Sequence, residues 1–103
     1  MPTLAVLDTI AAAMSAGDRV WGLRICQSTG LGSGTVYPIL ERLEDAGWIM
    51  AEWEQLQPCS RPRRRFYELT NAGRNELAEA RLKRAARYRR LGFSETHIGW
   101  SAQ

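Results

Sequence analysis

Arginine carries the clearest chemical message in this chain. Thirteen of its fourteen basic side chains are arginine, the exception being Lys83. A guanidinium is planar, permanently charged and forked, so it suits phosphate oxygens and the guanine edge better than an ammonium does. The distribution is uneven: residues 1–60 carry a formal charge of −4 and residues 61–103 one of +7, which leaves the net +3. A block of +7 points to a polyanionic partner, against the plainer reading of a solvated face. Arg61, Arg63, Arg64 and Arg65 crowd one short stretch, and Arg81, Lys83, Arg84, Arg87, Arg89 and Arg90 fall within ten residues that hold no acid. A second candidate is the run Ser33-Gly34-Thr35-Val36-Tyr37, where three hydroxyls alternate with other residues and the small ones let a backbone approach a ligand closely.

Other chemistries are poorly supplied. The single histidine is His97, and Cys26 and Cys59 stand 33 residues apart with no CxxC spacing. That inventory builds neither a usual zinc site nor a disulfide framework. Cys26 reads as a small buried hydrophobe and Cys59 as an exposed thiol. No histidine, carboxylate pair or base-activated nucleophile stands in a catalytic spacing, so neither an enzyme nor a bound metal or cofactor is expected. With 103 residues, 45% of them hydrophobic and 24% charged, the chain reads as one globular domain. Met1 to Leu7 is the longest apolar-leaning run, far short of the ~20 residues of a membrane span. No basic segment precedes it and Asp8 interrupts it, so a cytoplasmic chain without a leader or membrane contact is expected.

The elements that must position these residues follow from periodicity. Leu4, Leu7, Ile10, Ala11 and Met14 predict a helix over 3–15, with Thr3 as N-cap and Gly17-Asp18 as the stop. A shorter helix over 20–28 follows, with Val20, Leu23 and the Ile25/Cys26 region inward. Three glycines in Ser28–Thr35 then make a turn. Val36, Ile39, Leu40, Leu43 and Ala46 mark a third helix, capped by Ser33 or Thr35 and ended by Gly47. Pro38 fits only in or near a first turn, which sets the start close to 34–36. Residues 48–56 and 64–69 read as strands around Gln57-Pro58-Cys59-Ser60-Arg61-Pro62, a hairpin with a basic tip. Thr70-Asn71 caps a long helix from Ala72 to about Leu91. Two short helices joined by a glycine turn and followed at once by a hairpin form a winged helix-turn-helix. The expected fold class is mainly α with a small β-hairpin (α+β). Residues 1–71 form the winged unit and 72–103 a dimerisation helix and tail, in a single compact body.

The run Gly34-Thr35-Val36-Tyr37-Pro38-Ile39-Leu40-Glu41-Arg42-Leu43-Glu44-Asp45-Ala46-Gly47-Trp48-Ile49 resembles the PadR family of bacterial transcriptional regulators. Arg64-Arg65-Phe66-Tyr67-Glu68-Leu69-Thr70-Asn71-Ala72-Gly73-Arg74 resembles the stretch that closes the family's wing, and Trp21-Gly22 stands where Tyr-Gly is frequent. Leu23-Arg24 departs from the frequent Tyr-Glu, and the short C-terminal region is similar to the smaller subfamily, without a separate effector domain. The resemblance implies a homodimeric repressor that binds an inverted-repeat operator in double-stranded DNA. A small-molecule effector is left open as a further partner, with no identity the residues specify.

On that reading Ser33, Gly34, Thr35 and Tyr37 contact DNA from the start of the third helix, where unpaired backbone N–H groups favour a phosphate. The competing reading makes Tyr37 core and Ser33 a cap. Arg61, Arg63 and Arg64 contact DNA from the wing, Arg61 and Arg63 being nearest its tip. The alternative for Arg64 and Arg65 is an ion pair with Glu52 or Glu54 across the hairpin. The thin stripe Leu77 or Ala78, Leu82, Ala85, Ala86, Tyr88 and Leu91 suits packing against the first helix of a second subunit. Trp21, Trp48 and Trp53 read as core or interface residues. A winged helix used for protein interaction or assembly, without sequence-specific DNA readout, is the competing class.

Overall fold

The structure, a computed structural model of the chain, describes residues 1–55 and 61–92. The expected hairpin tip at Gln57-Pro58-Cys59-Ser60 and the tail with Phe93, His97, Ile98 and Trp100 lie outside the described residues.

Helix α1 (Pro2–Ser15) begins one residue earlier than the periodicity suggests, with Met1 as N-cap in place of Thr3. Proline is suited to this first position, because its missing N–H has no partner in a helix start anyway. Val6, Leu7 and Ile10 form its buried stripe. The expected second helix is divided. Val20 and Trp21 form a strand, β1 (Val20–Trp21), and helix α2 (Gly22–Thr29) starts only after them. Leu23 is consequently exposed rather than inward, while Ile25 is fully buried. Gly30 closes α2 in the left-handed region at φ 75°, and its N–H donates to the Cys26 carbonyl. Thr29 Oγ1 donates to the Ile25 carbonyl at 2.8 Å and accepts from the Leu31 N–H at 3.2 Å, which ties the turn to the helix before it.

Helix α3 (Ser33–Asp45) buries Val36, Ile39, Leu40 and Leu43. It ends in a Schellman arrangement: the Gly47 N–H reaches the Glu44 carbonyl and the Trp48 N–H the Leu43 carbonyl, both at 3.0 Å. Gly47 sits at φ 78°, a region that a residue with a Cβ reaches only with strain. The chain then enters strand β2 (Ile49–Trp53), which pairs antiparallel with strand β3 (Arg65–Leu69) in the register Ile49↔Leu69 to Trp53↔Arg65. The sheet has a third strand that the hairpin reading lacked. β1 pairs with the free side of β3, Val20 opposite Tyr67 and Trp21 opposite Phe66, giving the order β1-β3-β2.

Helix α4 (Asn71–Arg90) is fastened at its base. Thr70, its N-cap, accepts from the Gly73 N–H at 3.1 Å and donates its hydroxyl to the Gly47 carbonyl at 2.6 Å. Its own N–H donates to the Trp48 carbonyl at 3.0 Å. Gly73 lies so close to that backbone that a Cβ there would stand 1.9 Å from the Trp48 carbonyl oxygen. The Leu-Thr-Asn-Ala-Gly sequence therefore works as one docking unit between helix end and sheet. Leu77 joins the core that Val6, Leu7, Ile10, Val20, Ile25, Val36, Ile39, Leu40, Leu43, Ile49, Tyr67 and Leu69 complete. Burial of one leucine of this kind contributes about 1.5–3 kcal/mol. Beyond it Asp8 of α1 takes Arg81 of α4 at 2.7 Å and Arg84 at 3.5 Å. Leu82 and Leu91 stay 67% and 66% exposed. No helix among the described residues is long and apolar enough to cross a membrane.

Candidate nucleic-acid interface

The first turn of α3 faces outward. Ser33, Gly34, Thr35, Tyr37 and Pro38 are exposed, and Val36 between them is fully buried. The N-cap is Gly32, with no side-chain capping bond, so neither Ser33 nor Thr35 caps the helix as expected. Both hydroxyls stay available because the backbone caps itself: the Thr35 and Val36 N–H groups donate to the Gly32 carbonyl at 3.0 Å. The N–H groups of Ser33 and Gly34 precede the helical ladder and leave its end open to an anion.

Pro38 is the sixth residue of α3 and lies inside the helix, because α3 starts at Ser33 and not at 34–36 as expected. Its missing N–H leaves the Gly34 carbonyl without a helical donor. That carbonyl belongs to an exposed residue, where water can satisfy it.

Tyr37 is neither core nor fully free. Its side chain is 47% exposed, and its ring lies where a side chain at residue 22 would go, 2.5 Å from the Cβ position of Gly22. Gly22 thus makes room for the tyrosine, and the contact locks the start of α3 onto the start of α2.

The wing arginines are sorted by the pleat, as alternate residues of a strand must be. Arg65 points inward and pairs with Glu44 of α3 at 2.7 Å, its guanidinium 5.2 Å from the Trp53 ring. Burial pushes the neighbouring Tyr67 phenol above its ordinary pKa. Arg64 points outward and stacks on Trp21 at 4.1 Å. Neither forms the ion pair with Glu52 or Glu54 that the hairpin suggested. Arg61 takes Glu54 instead, in a two-pronged pair at 2.8 and 3.0 Å, and Glu52 goes to Arg19 at 2.7 Å. The hydrogen bond from Arg61 holds the Glu54 carboxyl below its ordinary pKa. Arg63 is exposed and makes no ion pair among the described residues.

The outer face of the sheet holds a feature that no sequence period signalled. Trp21 and Phe66, opposite each other in the β1–β3 register, meet edge to face at 6.0 Å. Three guanidinium groups gather on this pair: Arg64 and Arg24 lie 4.1 and 5.9 Å from the Trp21 ring, and Arg19 lies 4.2 Å from Phe66. Trp21 and Trp48 are half-buried, whereas Trp53 is 52% exposed.

A family model described as "Transcriptional regulator PadR-like family" matches residues 23–79, more than half of the chain. The chain belongs to the PadR-like family. That family consists of transcriptional regulators, not enzymes. No curated protein matches it in sequence. Among solved structures, a PadR family transcription regulator from hypervirulent Clostridium difficile is 22% identical, with a TM-score of 0.68 over 88% of this chain and 90% of that one. A transcriptional regulator from Clostridium thermocellum is 15% identical with a TM-score of 0.71, over 88% and 86%. Bacillus subtilis PadR, solved in complex with operator DNA, is 21% identical with a TM-score of 0.60, over 75% of this chain and 44% of that one. At these identities the likeness is one of fold, a winged helix of four helices and a small antiparallel sheet.

Within this PadR-like chain the motif residues have distinct local tasks. Tyr37 seats on Gly22, Gly47 turns the chain into the wing, and Gly73 admits the Trp48 backbone. Arg24 places a guanidinium 5.9 Å from the Trp21 ring.

Proposed function

We propose that this PadR-like protein is a cytoplasmic, homodimeric repressor that binds an inverted-repeat operator in double-stranded DNA. The observation that carries the reading is the outward-facing first turn of α3, with Ser33, Gly34, Thr35 and Tyr37 exposed beside a wing that bears Arg61, Arg63 and Arg64. The α3 turn is narrow and polar enough to enter a major groove, and its open N–H groups suit a phosphate at the groove edge. The basic wing reaches the flanking backbone or minor groove. Residues 1–71 act as the DNA-binding unit and 72–103 as the dimerising unit.

Two expected results test this. Thr35→Ala and Tyr37→Ala should each weaken specific binding by roughly 1–3 kcal/mol while random DNA is bound almost as before. Competition footprinting on the DNA flanking the gene measures both. Equal losses on the two DNAs would mean that these residues only hold backbone or helix, and no specific site at all would favour an interaction module.

Exposed apolar side chains on α1 and α4 support the dimer. Met1, Leu82 and Leu91 are exposed, and a cleft of about 270 Å³ between α1 and α4 is lined by Leu4, Leu7, Trp48 and Ala80 with Met1, Thr3 and Glu76. Leu82→Glu combined with Leu91→Glu should give a folded monomer at micromolar concentration by sedimentation velocity. A variant that remains dimeric would move the interface elsewhere.

A further inference from the structure

Trp21 gathers charge in an unusual way. Two guanidiniums from different elements, Arg24 of α2 and Arg64 beside β3, lie 5.9 and 4.1 Å from its ring. Arg19 joins them on the adjoining Phe66 at 4.2 Å. Arg19 is paired with Glu52, and the Arg64 charge is felt by Glu54. Arg24 and Arg64 make no ion pair among the described residues, although the Arg64 backbone N–H donates to Glu54 at 3.3 Å. Like charges gathered around one tryptophan, with the Glu54 carboxylate beside Arg64, make a candidate site for a multiply accepting anion.

Its position says which anion. Trp21 immediately precedes Gly22, and Gly22 carries the ring of Tyr37. The cluster therefore lies between the start of α3 and the wing, continuous with both proposed contact surfaces. We infer that Arg24 and Arg64, held on Trp21, clamp a backbone phosphate of the bound duplex between the segment read by α3 and the segment reached by the wing. Trp21 is a positioning residue here, since it orders two long side chains before the DNA arrives and reduces the entropy lost on binding. The inference rests on the DNA-binding reading and adds a contact that does not depend on base sequence.

The test uses the full chain and a fluorescein-labelled random-sequence duplex of about 30 base pairs, followed by anisotropy between 50 and 200 mM NaCl. Arg24→Ala should weaken binding by roughly tenfold at the low-salt end and flatten the plot of log affinity against log salt, by up to about 1.8 in a dimer if the shared phosphate is lost from each subunit at about 0.9 apiece. Arg24→Glu should weaken it further, and thermal unfolding should be unchanged in both, since Arg24 is exposed. An unchanged slope in folded Arg24→Ala would overturn the clamp, and so would an equal flattening from Lys83→Ala on the far helix. An anion drawn from solution instead of from DNA also predicts the unchanged slope. If the wild-type chain binds no duplex at 50 mM salt, the DNA-binding reading falls and the clamp with it; wild-type binding with an unaltered Arg24→Ala slope sinks the clamp alone.

Discussion

Alanine at both Arg61 and Arg63 should flatten the dependence of log affinity on log salt by roughly 3–4 units in a dimer, because four phosphates are released at about 0.9 each. The two residues start from different states. Arg63 is exposed and makes no ion pair among the described residues, so it is ready to meet a phosphate. Arg61 is held by Glu54 through two hydrogen bonds and has to exchange one anion for another. Exposed ion pairs contribute little to folding, so this exchange is not strongly opposed. Its pH dependence has a definite sign. The Glu54 pKa is depressed in the folded chain, so the pair is intact above the ordinary carboxylate range and is lost only as pH falls through the lowered value. Near neutrality Glu54 therefore competes with DNA for Arg61. Glu54→Gln should strengthen binding to random duplex, whereas the double alanine variant should weaken it. A folded double variant with an unchanged salt slope removes the wing tip from the DNA surface.

The largest effect on folding is expected at Gly73. Its φ is not in the left-handed region, so the requirement is one of space alone. In Gly73→Ala the new methyl would stand 1.9 Å from the Trp48 carbonyl oxygen, a backbone atom that cannot swing aside. The base of α4 would have to lift, stretching the Thr70 bonds to Gly47 and Trp48 and drawing Leu77 from the core. A loss of about 3 kcal/mol or more is expected, which lowers Tm by roughly 12–24 °C for a domain of this size. Gly34→Ala is the control. Nothing lies within 4 Å of its Cβ position, and a helical alanine there should stabilise by up to about 1 kcal/mol. Equal melting temperatures for Gly73→Ala and the wild type would show that α4 is not docked as described.

The fold class, the order of the helices and the pairing of wing strands were legible because each rests on local signals. Val36, Ile39, Leu40 and Leu43 repeat at helical spacing, Gly47 stops the helix, and Thr70 caps the next one. β1 escaped because two residues cannot display an alternation, and Val20 served equally well as the first apolar position of a helix. The helix caps shifted because backbone geometry did what a hydroxyl was expected to do: Gly32 supplies the carbonyl that takes the Thr35 and Val36 N–H groups. In the wing, strand alternation was enough to send Arg64 and Arg65 to opposite faces. Their partners were not readable, because Glu44 and Trp21 lie 21 and 43 residues away and are delivered by tertiary packing alone. The same holds for Arg24, whose meaning depends on a ring placed by a strand that the pattern did not announce.

The short strand β1 also ties the wing to the folding history of the molecule. A two-stranded ribbon is marginal in water, and β3 gains its second neighbour only when Val20 reaches Tyr67 and Trp21 reaches Phe66. Closing so long a loop gives no return until most of the intervening chain is ordered, which places this pairing late on the route to the native state. The wing base is therefore the part expected to open first. Backbone amides of Phe66 and Tyr67 should exchange with solvent deuterium faster than those of Ile39 and Leu40 in α3.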